Sequence, residues 1–222
     1  MTIVLVGCLV GCAEAVAGLP APADFSHVLY LNACEPDGCM MLPGADDARA
    51  SRSSLVTRSS YLPAFGWGSG TWGSLVECVR SAYAPFDLEV TDVDPGSQPH
   101  LEIVVAGTSA NLGFAPNVGG VAPGECPGDV VDNSVGFAFS ANSSDAASLC
   151  WTVAQESGHL LGLDHELDPL DPMAWIGPSI KPGFQDHDAA CGEYAARSCV
   201  CDRPSQNSFA LLRATLGPSA YY

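Results

Sequence analysis

The residues best suited to chemistry fall in one short stretch, AQESGHLLGLDHELDPLDPM, residues 154–173. Gln155 and His159 are four positions apart, so on a helix both side chains lie on the same face, one turn apart. Gly162 can end that helix in a left-handed turn, and the returning chain brings His165 toward the same point from a loop. Three such donors around one ion leave a fourth tetrahedral position for water, as in catalytic zinc sites.

Glu156 stands beside these donors and completes a hydrolytic set. A carboxylate next to a metal-activated water can accept its proton as a general base. Gln155 is a weaker zinc donor than histidine, although its amide oxygen reaches as far from Cα as the distal imidazole nitrogen does. We therefore expect Zn²⁺ as the cofactor, bound more weakly by roughly one to three orders of magnitude than with a histidine at this position.

The stretch QESGHLLGLDH resembles the H-E-x-x-H-x-x-G-x-x-H signature of the metzincin zinc peptidases, with glutamine at the first histidine position. It is most similar to the matrixin branch, and DPMAW supplies Met173 at a spacing similar to that of the matrixin methionine turn. The resemblance implies a secreted endopeptidase with three zinc ligands: Gln155, His159 and His165. It also implies that Glu156 is the general base, that Gly162 makes the turn and that Met173 lies beneath the metal.

Five strands are predicted from alternating or continuous apolar runs bounded by turn residues. They cover residues 27–32, 86–93, 100–107, 118–123 and 134–140. Residues 33–70 are rich in Gly, Ser, Pro and Asp, so we expect a long loop there.

Three helices are predicted from apolar positions at helical spacing. The first begins at Thr71 and stops before Pro85, and its buried face carries Leu75, Val76, Val79 and Tyr83. Ser143 or Ser144 caps the second, which runs to Gly162. The third, in SQNSFALLRATLGP, has Ser205 as its cap and a stop at the following glycine and proline.

This order of elements predicts an α+β fold in a single domain, residues 18–222. The metzincin resemblance covers residues 27–175 and implies a twisted, mostly parallel five-stranded sheet with a backing helix and an active-site helix. The N-terminal lobe is then residues 18–163. Residues 164–222 are expected to form a small, irregular, disulfide-rich C-terminal lobe that ends in a helix.

Residues 1–17, MTIVLVGCLVGCAEAVA, are typical of a secretory signal peptide. The sequence LVGC occurs twice and resembles the lipobox of bacterial lipoproteins, which predicts a lipid anchor through Cys12. The small residues Ala13, Ala15 and Ala17 equally suit ordinary signal-peptidase cleavage. Both routes export the chain, either as a secreted protein or as a lipoprotein of the cell envelope.

Eight cysteines follow the signal segment: Cys34, Cys39, Cys78, Cys126, Cys150, Cys191, Cys199 and Cys201. An even number in an exported chain predicts disulfides, and Cys34 with Cys39 can close a local turn. The spacing alone does not pair the others. Metal binding by the neighbouring Cys199 and Cys201 is the less favoured alternative.

Acidic residues outnumber basic residues by 25 to 8, which gives a net charge of −17. Nucleic acid and anionic membrane surfaces are therefore poor partners. We expect a monomer that binds an extended peptide or protein substrate along the sheet edge at VGGVAP, residues 118–123. A catalytically inactive extracellular module that binds peptide or protein is the alternative.

The remaining polar residues near the stretch have more ordinary interpretations. His187 is expected on the surface, and His27 and His100 are expected to be structural. Trp175 stands where several metzincins have a tyrosine, so it cannot supply a phenol. Four acidic residues are expected to solvate the loop and cap its turns: Asp164, Glu166, Asp168 and Asp171.

Overall fold

The computed structural model describes residues 25–127, 129–178 and 180–220. Within these ranges the strands are β1 (Val28–Asn32), β2 (Cys39–Pro43), β3 (Arg52–Ser53), β4 (Ser60–Leu62), β5 (Glu89–Thr91), β6 (Leu101–Val105), β7 (Gly120–Val121) and β8 (Val135–Ala138). The α-helices are α1 (Gly68–Tyr83), α2 (Ala146–Leu160) and α3 (Ser208–Leu216). The α+β class is confirmed. The signal segment, with Cys12, lies outside the described residues, and none of the described helices is long and apolar enough to span a membrane.

The larger sheet contains five strands in the order β5-β1-β6-β8-β7. Strands β5, β1, β6 and β8 are parallel, whereas β7 pairs antiparallel with β8 and forms one edge. All five predicted strands are present, and each is shorter than predicted, most of all those predicted at 86–93 and 118–123. Every residue of β6 is buried. Its apolar side chains on one face pack with α1 and α2, and Val104 on the other face packs with a second core.

Residues 33–70 do not form a long loop, so that prediction was wrong. Three short strands in this segment make a second sheet, ordered β3-β2-β4. Met41 and Leu62 are buried there and pack with Val104 and Phe137 of the larger sheet. Strands β3 and β4 have only two and three residues, and β2 lies among Gly, Ser and Pro, so pairing between the three segments makes them strands.

The buried face of α1 contains the four predicted residues, but the predicted helix starts were wrong. The first helix begins at Gly68 rather than Thr71. Asp145 caps α2 in place of Ser143 or Ser144, and its carboxylate accepts from the Ser148 backbone N–H at 3.0 Å. A carboxylate is as good a cap as a serine hydroxyl and adds a favourable interaction with the helix dipole.

The start of α3 was also predicted wrongly, whereas its end was predicted correctly. Asn207 rather than Ser205 caps α3 by accepting from the Ala210 backbone N–H at 2.8 Å. Gly217 ends the helix with a positive φ of 81°. A glycine that requires φ > 0 is a more specific signal than one of several neighbouring polar caps.

Four disulfides connect the chain, and Cys34–Cys39 is the pair predicted from the sequence. Cys78–Cys150 joins α1 to α2, and Cys191–Cys199 closes a loop near the end of the chain. Cys126 pairs with Cys201, so Cys199 and Cys201 belong to different bridges. All eight sulfurs are oxidised, which is consistent with an exported protein.

Candidate metal centre

Helix α2 presents the predicted site residues at its C-terminal end. The helix is anchored to α1 through Cys150 and through buried apolar residues on the same face. Gly162 has the predicted left-handed conformation, with φ of 89°. A Cβ atom at this position would lie 2.6 Å from the backbone nitrogen of Pro127, so the turn requires glycine for both space and conformation. This turn returns the chain and brings His165 to His159.

The two histidine rings face each other at short range. Nε2 of His159 lies 3.1 Å from Nε2 of His165. Nδ1 of His159 lies 2.8 Å from the carbonyl oxygen of Leu163, which only accepts hydrogen bonds, so this nitrogen carries the hydrogen. Nδ1 of His165 lies 3.1 Å from Oε1 of Glu193, a carboxylate that likewise accepts. When both rings are neutral, the two Nε2 atoms therefore direct lone pairs toward each other.

Two facing lone pairs repel unless a cation lies between them. Burial, followed by the charge of His165, lowers the pKa of His159 to about 4, so a proton on this ring is disfavoured at neutral pH. Two nitrogens bound to one tetrahedral zinc ion, with bonds of about 2.0–2.1 Å, lie about 3.3 Å apart. The observed 3.1 Å is close to that separation, and the histidine pair fits a metal ion.

Gln155 lies one helical turn before His159 on α2, and its amide nitrogen is engaged by backbone carbonyl groups. Nε2 donates to the carbonyl oxygens of Pro172 and Ala174, at 3.2 and 3.3 Å. Because both partners only accept, the nitrogen end is assigned without ambiguity, and Oε1 is the end that remains for another partner. The role of Gln155 as a third ligand stays a prediction.

Met173 is fully buried against α2, between the two carbonyl groups that hold Gln155. A Cβ atom added to Gly158 would lie 2.5 Å from Sδ of Met173, so the sulfur touches the helix backbone one residue before His159. The Met173 N–H donates to Asp171 Oδ1 at 2.8 Å. The methionine therefore supports the helix segment that carries the predicted ligands.

Glu156 is 5% exposed and faces the edge strand β7. A Cβ atom on Gly120 would lie 2.5 Å from Oε1 of Glu156, so the carboxyl lies directly against this strand. Burial raises the pKa of Glu156 to about 8. A cation at the histidine pair would favour the charged form and lower this pKa.

Two cavities meet beside α2 and give a ligand access to Glu156. The first, of about 230 Å³, is lined by Gly120 and Glu156 among others, and the second, of about 300 Å³, extends toward Pro178. Three residues line both cavities: Thr152, Gln155 and Trp175. Together the cavities form a groove that passes the edge of the sheet.

The loop between Cys191 and Cys199 contacts His165 through Glu193, a contact that was not predicted from the sequence. Arg197 donates hydrogen bonds to Glu193 and to Asp164. The hydrogen bond from Arg197, followed by the one from His165, lowers the pKa of Glu193 to about 2. The sequence CGEYAARSC, residues 191–199, contains a signal for this loop. A disulfide between its two end cysteines would hold Glu193 and Arg197 close together.

A tyrosine of the same loop contacts Trp175. The Trp175 ring packs edge-on against His165, with ring centroids 5.0 Å apart. Its indole Nε1–H donates to the hydroxyl oxygen of Tyr194 at 3.0 Å. Because an indole nitrogen only donates, the Tyr194 hydroxyl hydrogen is not used in this contact.

Three of the four acidic residues after α2 are buried, so the prediction that they solvate the loop was wrong. They are Asp164, Glu166 and Asp171. Their partners come from distant positions: Arg197 pairs with Asp164, and Ser208 donates to Glu166 at 2.9 Å. The prediction of turn caps is confirmed, since Asp168 accepts from the Leu170 N–H at 3.0 Å.

The other histidines have the roles expected from the sequence. The His187 side chain is 57% exposed and lies 2.9 Å from Asp168. His100 is buried and packs edge-on against Tyr30, and His27 pairs with Asp87.

A second group of potential metal ligands contains Asp164, Cys191 and Cys199, whose ligand atoms lie within 4.8 Å of one another. Both sulfurs belong to one disulfide and cannot act as thiolates. Among the described residues, the histidine pair is therefore the better candidate for a metal.

No protein-family profile and no curated protein sequence matches this chain. The functional assignment therefore depends on the side-chain geometry described above.

Proposed function

We propose that this protein is an exported, zinc-dependent endopeptidase of the metzincin type, most similar to matrixins. The observation that carries the proposal is the 3.1 Å separation of the His159 and His165 Nε2 atoms, with both Nδ1 atoms paired, on the helix that also carries the buried Glu156. The sheet order, in which only the edge strand β7 is antiparallel, supports a twisted, metzincin-like sheet.

His159 and His165 would hold the zinc ion, with the amide oxygen of Gln155 as the third donor. Anchoring of Gln155 Nε2 on two carbonyl groups supports this role, because it restricts the amide and keeps the oxygen end available. A bound zinc ion would activate a water molecule and polarise the substrate carbonyl.

Glu156 would act as the general base. Its carboxylate accepts a proton from the attacking water and then delivers it to the leaving amine, so one group serves both halves of the reaction. Burial raises the pKa of Glu156 to about 8, which favours uptake of a proton, and a cation held close to the carboxylate would oppose this shift and favour the ionised base.

The substrate would bind as an extended chain along β7. An edge strand offers backbone N–H and C=O groups that pair with a peptide, and Gly120 leaves room for close approach to Glu156. The cavities that share Thr152, Gln155 and Trp175 would receive substrate side chains.

A catalytically inactive peptide-binding module is the second candidate. The observation that favours it is the glutamine at position 155, since its amide oxygen is a weaker zinc donor than an imidazole nitrogen. The groove itself offers an edge strand and two cavities and needs no metal to hold a peptide.

Peptide cleavage by wild type and Glu156→Gln tests the proposal. The variant keeps the shape of the side chain and removes the base, so we expect wild type to cleave and the variant to be at least about 100-fold slower at equal zinc content. Equal cleavage rates in wild type and Glu156→Gln would exclude Glu156-dependent peptide hydrolysis. Peptide binding without cleavage in both proteins would favour the binding module.

Two export routes remain proposals: signal-peptidase cleavage and acylation at Cys12. The mass of the mature N-terminal peptide distinguishes them. Acylation predicts a peptide that begins at Cys12 and carries the added mass of the lipid, whereas ordinary cleavage predicts the mass of an unmodified peptide.

A further inference from the structure

The loop from Cys191 to Cys199 wraps around His165. Its ends are joined by a disulfide, and the Gly192 N–H donates to the carbonyl oxygen of His165 at 3.0 Å. Next to Gly192, Glu193 places Oε1 3.1 Å from Nδ1 of the same histidine. The loop thus contacts both the backbone and the ring of His165.

The Glu193 carboxylate has a defined orientation because it accepts a hydrogen bond from Arg197, which is itself fixed by Asp164. Arg197 Nη2 donates to Oε1 of Glu193 at 2.7 Å and to Oδ1 of Asp164 at 2.8 Å. Asp164 is buried and also accepts from the Val200 N–H at 2.8 Å. Hydrogen bonds between ionised groups are short and directional, so this chain restrains the carboxylate that faces His165.

We infer that Glu193 is a positioning residue. It keeps the hydrogen of His165 on Nδ1, directs Nε2 at His159, and thereby sets the affinity of the site for zinc. This inference rests on the proposed function. Nδ1 of His159 is paired in the same way with the backbone carbonyl of Leu163, which a side-chain substitution does not remove. Of the two histidines, only His165 is therefore held by a side chain that can be replaced.

Zinc affinity, measured by competition with a chromophoric chelator, tests this role in the purified protein with its disulfides intact. Loss of an outer support of a metal ligand weakens binding by about 10- to 100-fold, which we expect for Glu193→Ala. Glu193→Gln should fall between Glu193→Ala and wild type, because its amide oxygen still accepts from Nδ1. Glu89→Ala removes the same charge from an exposed position on β5 and should match wild type.

A second measurement separates positioning from general stability. In metal-free protein, long-range ¹H–¹⁵N spectra should assign the hydrogen of His165 to Nδ1 in wild type and a mixture of both tautomers in Glu193→Ala. Zinc affinity equal to wild type in both Glu193 variants would overturn the inference and leave the proposed function intact. Absence of zinc binding in wild type would overturn both.

Discussion

Nε2 of His159 and Nε2 of His165 lie 3.1 Å apart, with the Nδ1 atom of each ring already paired to an acceptor. In the neutral rings the two Nε2 lone pairs face each other, and a cation between them would relieve their repulsion. Zinc should therefore bind the folded state selectively and raise its stability.

The first prediction is stabilisation by zinc. At free zinc about 100 times above Kd, selective binding to the folded state adds about 3 kcal/mol, visible as a higher Tm. His165→Ala should abolish the effect. His187→Ala is the control because its exposed ring pairs with Asp168, and it should respond like wild type. A zinc response that survives in His165→Ala would place the metal elsewhere.

The second prediction concerns Gln155. Gln155→His should bind zinc roughly 10- to 1,000-fold more tightly, because imidazole is a better zinc donor than an amide oxygen. Gln155→Leu removes the donor and both hydrogen bonds to the Met173 segment, so it should bind zinc more weakly than wild type. Equal affinity in Gln155→Leu and wild type would show that Gln155 is no ligand.

The third prediction tests the contact between Met173 and α2. Gly158→Ala places a methyl group 2.5 Å from Sδ of Met173, and the buried methionine has little room to move. Overpacking costs about 1–3 kcal/mol, and the better helix propensity of alanine offsets about 1 kcal/mol of this, so we expect a net loss of up to about 2 kcal/mol in urea unfolding.

Gly73→Ala provides the matched control within α1, where an added Cβ meets nothing within 4 Å. Alanine is the better helix former by about 1 kcal/mol, so this variant should be equally or more stable than wild type. Equal stability of Gly158→Ala and Gly73→Ala would contradict the close packing at Met173.

The fourth prediction tests the position of Glu156 and rests on the proposed function. Gly120→Ala would bring a methyl group to 2.5 Å from Oε1 of Glu156 and displace the carboxyl. A displacement near 1 Å lowers catalysis by about 100-fold, so kcat/KM should fall while zinc affinity stays unchanged. Gly73→Ala, on α1 and outside the groove, adds a Cβ that meets nothing within 4 Å and should remain active. Full activity in Gly120→Ala would argue against Glu156 as the base.

The fifth prediction is a pH dependence of stability from Glu102, on the central strand β6. Burial raises the pKa of this carboxyl to about 7, from 4.5. Because the folded pKa is the higher one, the stabilising contribution is complete below about pH 4.5 and disappears as pH rises through about 7. The difference corresponds to about 3 kcal/mol, since each pKa unit is worth about 1.4 kcal/mol.

Urea unfolding at pH 4.5 and pH 8 measures this contribution. Wild type should lose about 3 kcal/mol more than Glu102→Gln across this interval, because glutamine stays neutral and keeps the oxygen that accepts from Asn32. Glu89→Gln, at an exposed position, should follow wild type. Parallel pH dependences of Glu102→Gln and wild type would contradict the prediction.

Local signals in the sequence were enough to predict the core of the candidate site. The four-residue spacing of Gln155 and His159 and the left-handed turn at Gly162 depend on helix periodicity and on the conformational freedom of glycine. Both are properties of a few consecutive residues, so the approach of His165 to His159 could be predicted without the rest of the chain.

Only the tertiary structure decided which partners these residues have. Glu193 contacts His165 and Arg197 contacts Asp164 across about 30 positions of sequence. The short strands β2 to β4 form only by pairing with one another. Carbonyl groups on either side of Met173 orient the Gln155 amide. Such contacts form between segments that are distant in the chain, and their burial and hydrogen bonding outweigh local preferences. The sequence by itself thus determined which residues approach one another at the end of α2, and the packed fold determined their orientation and charge.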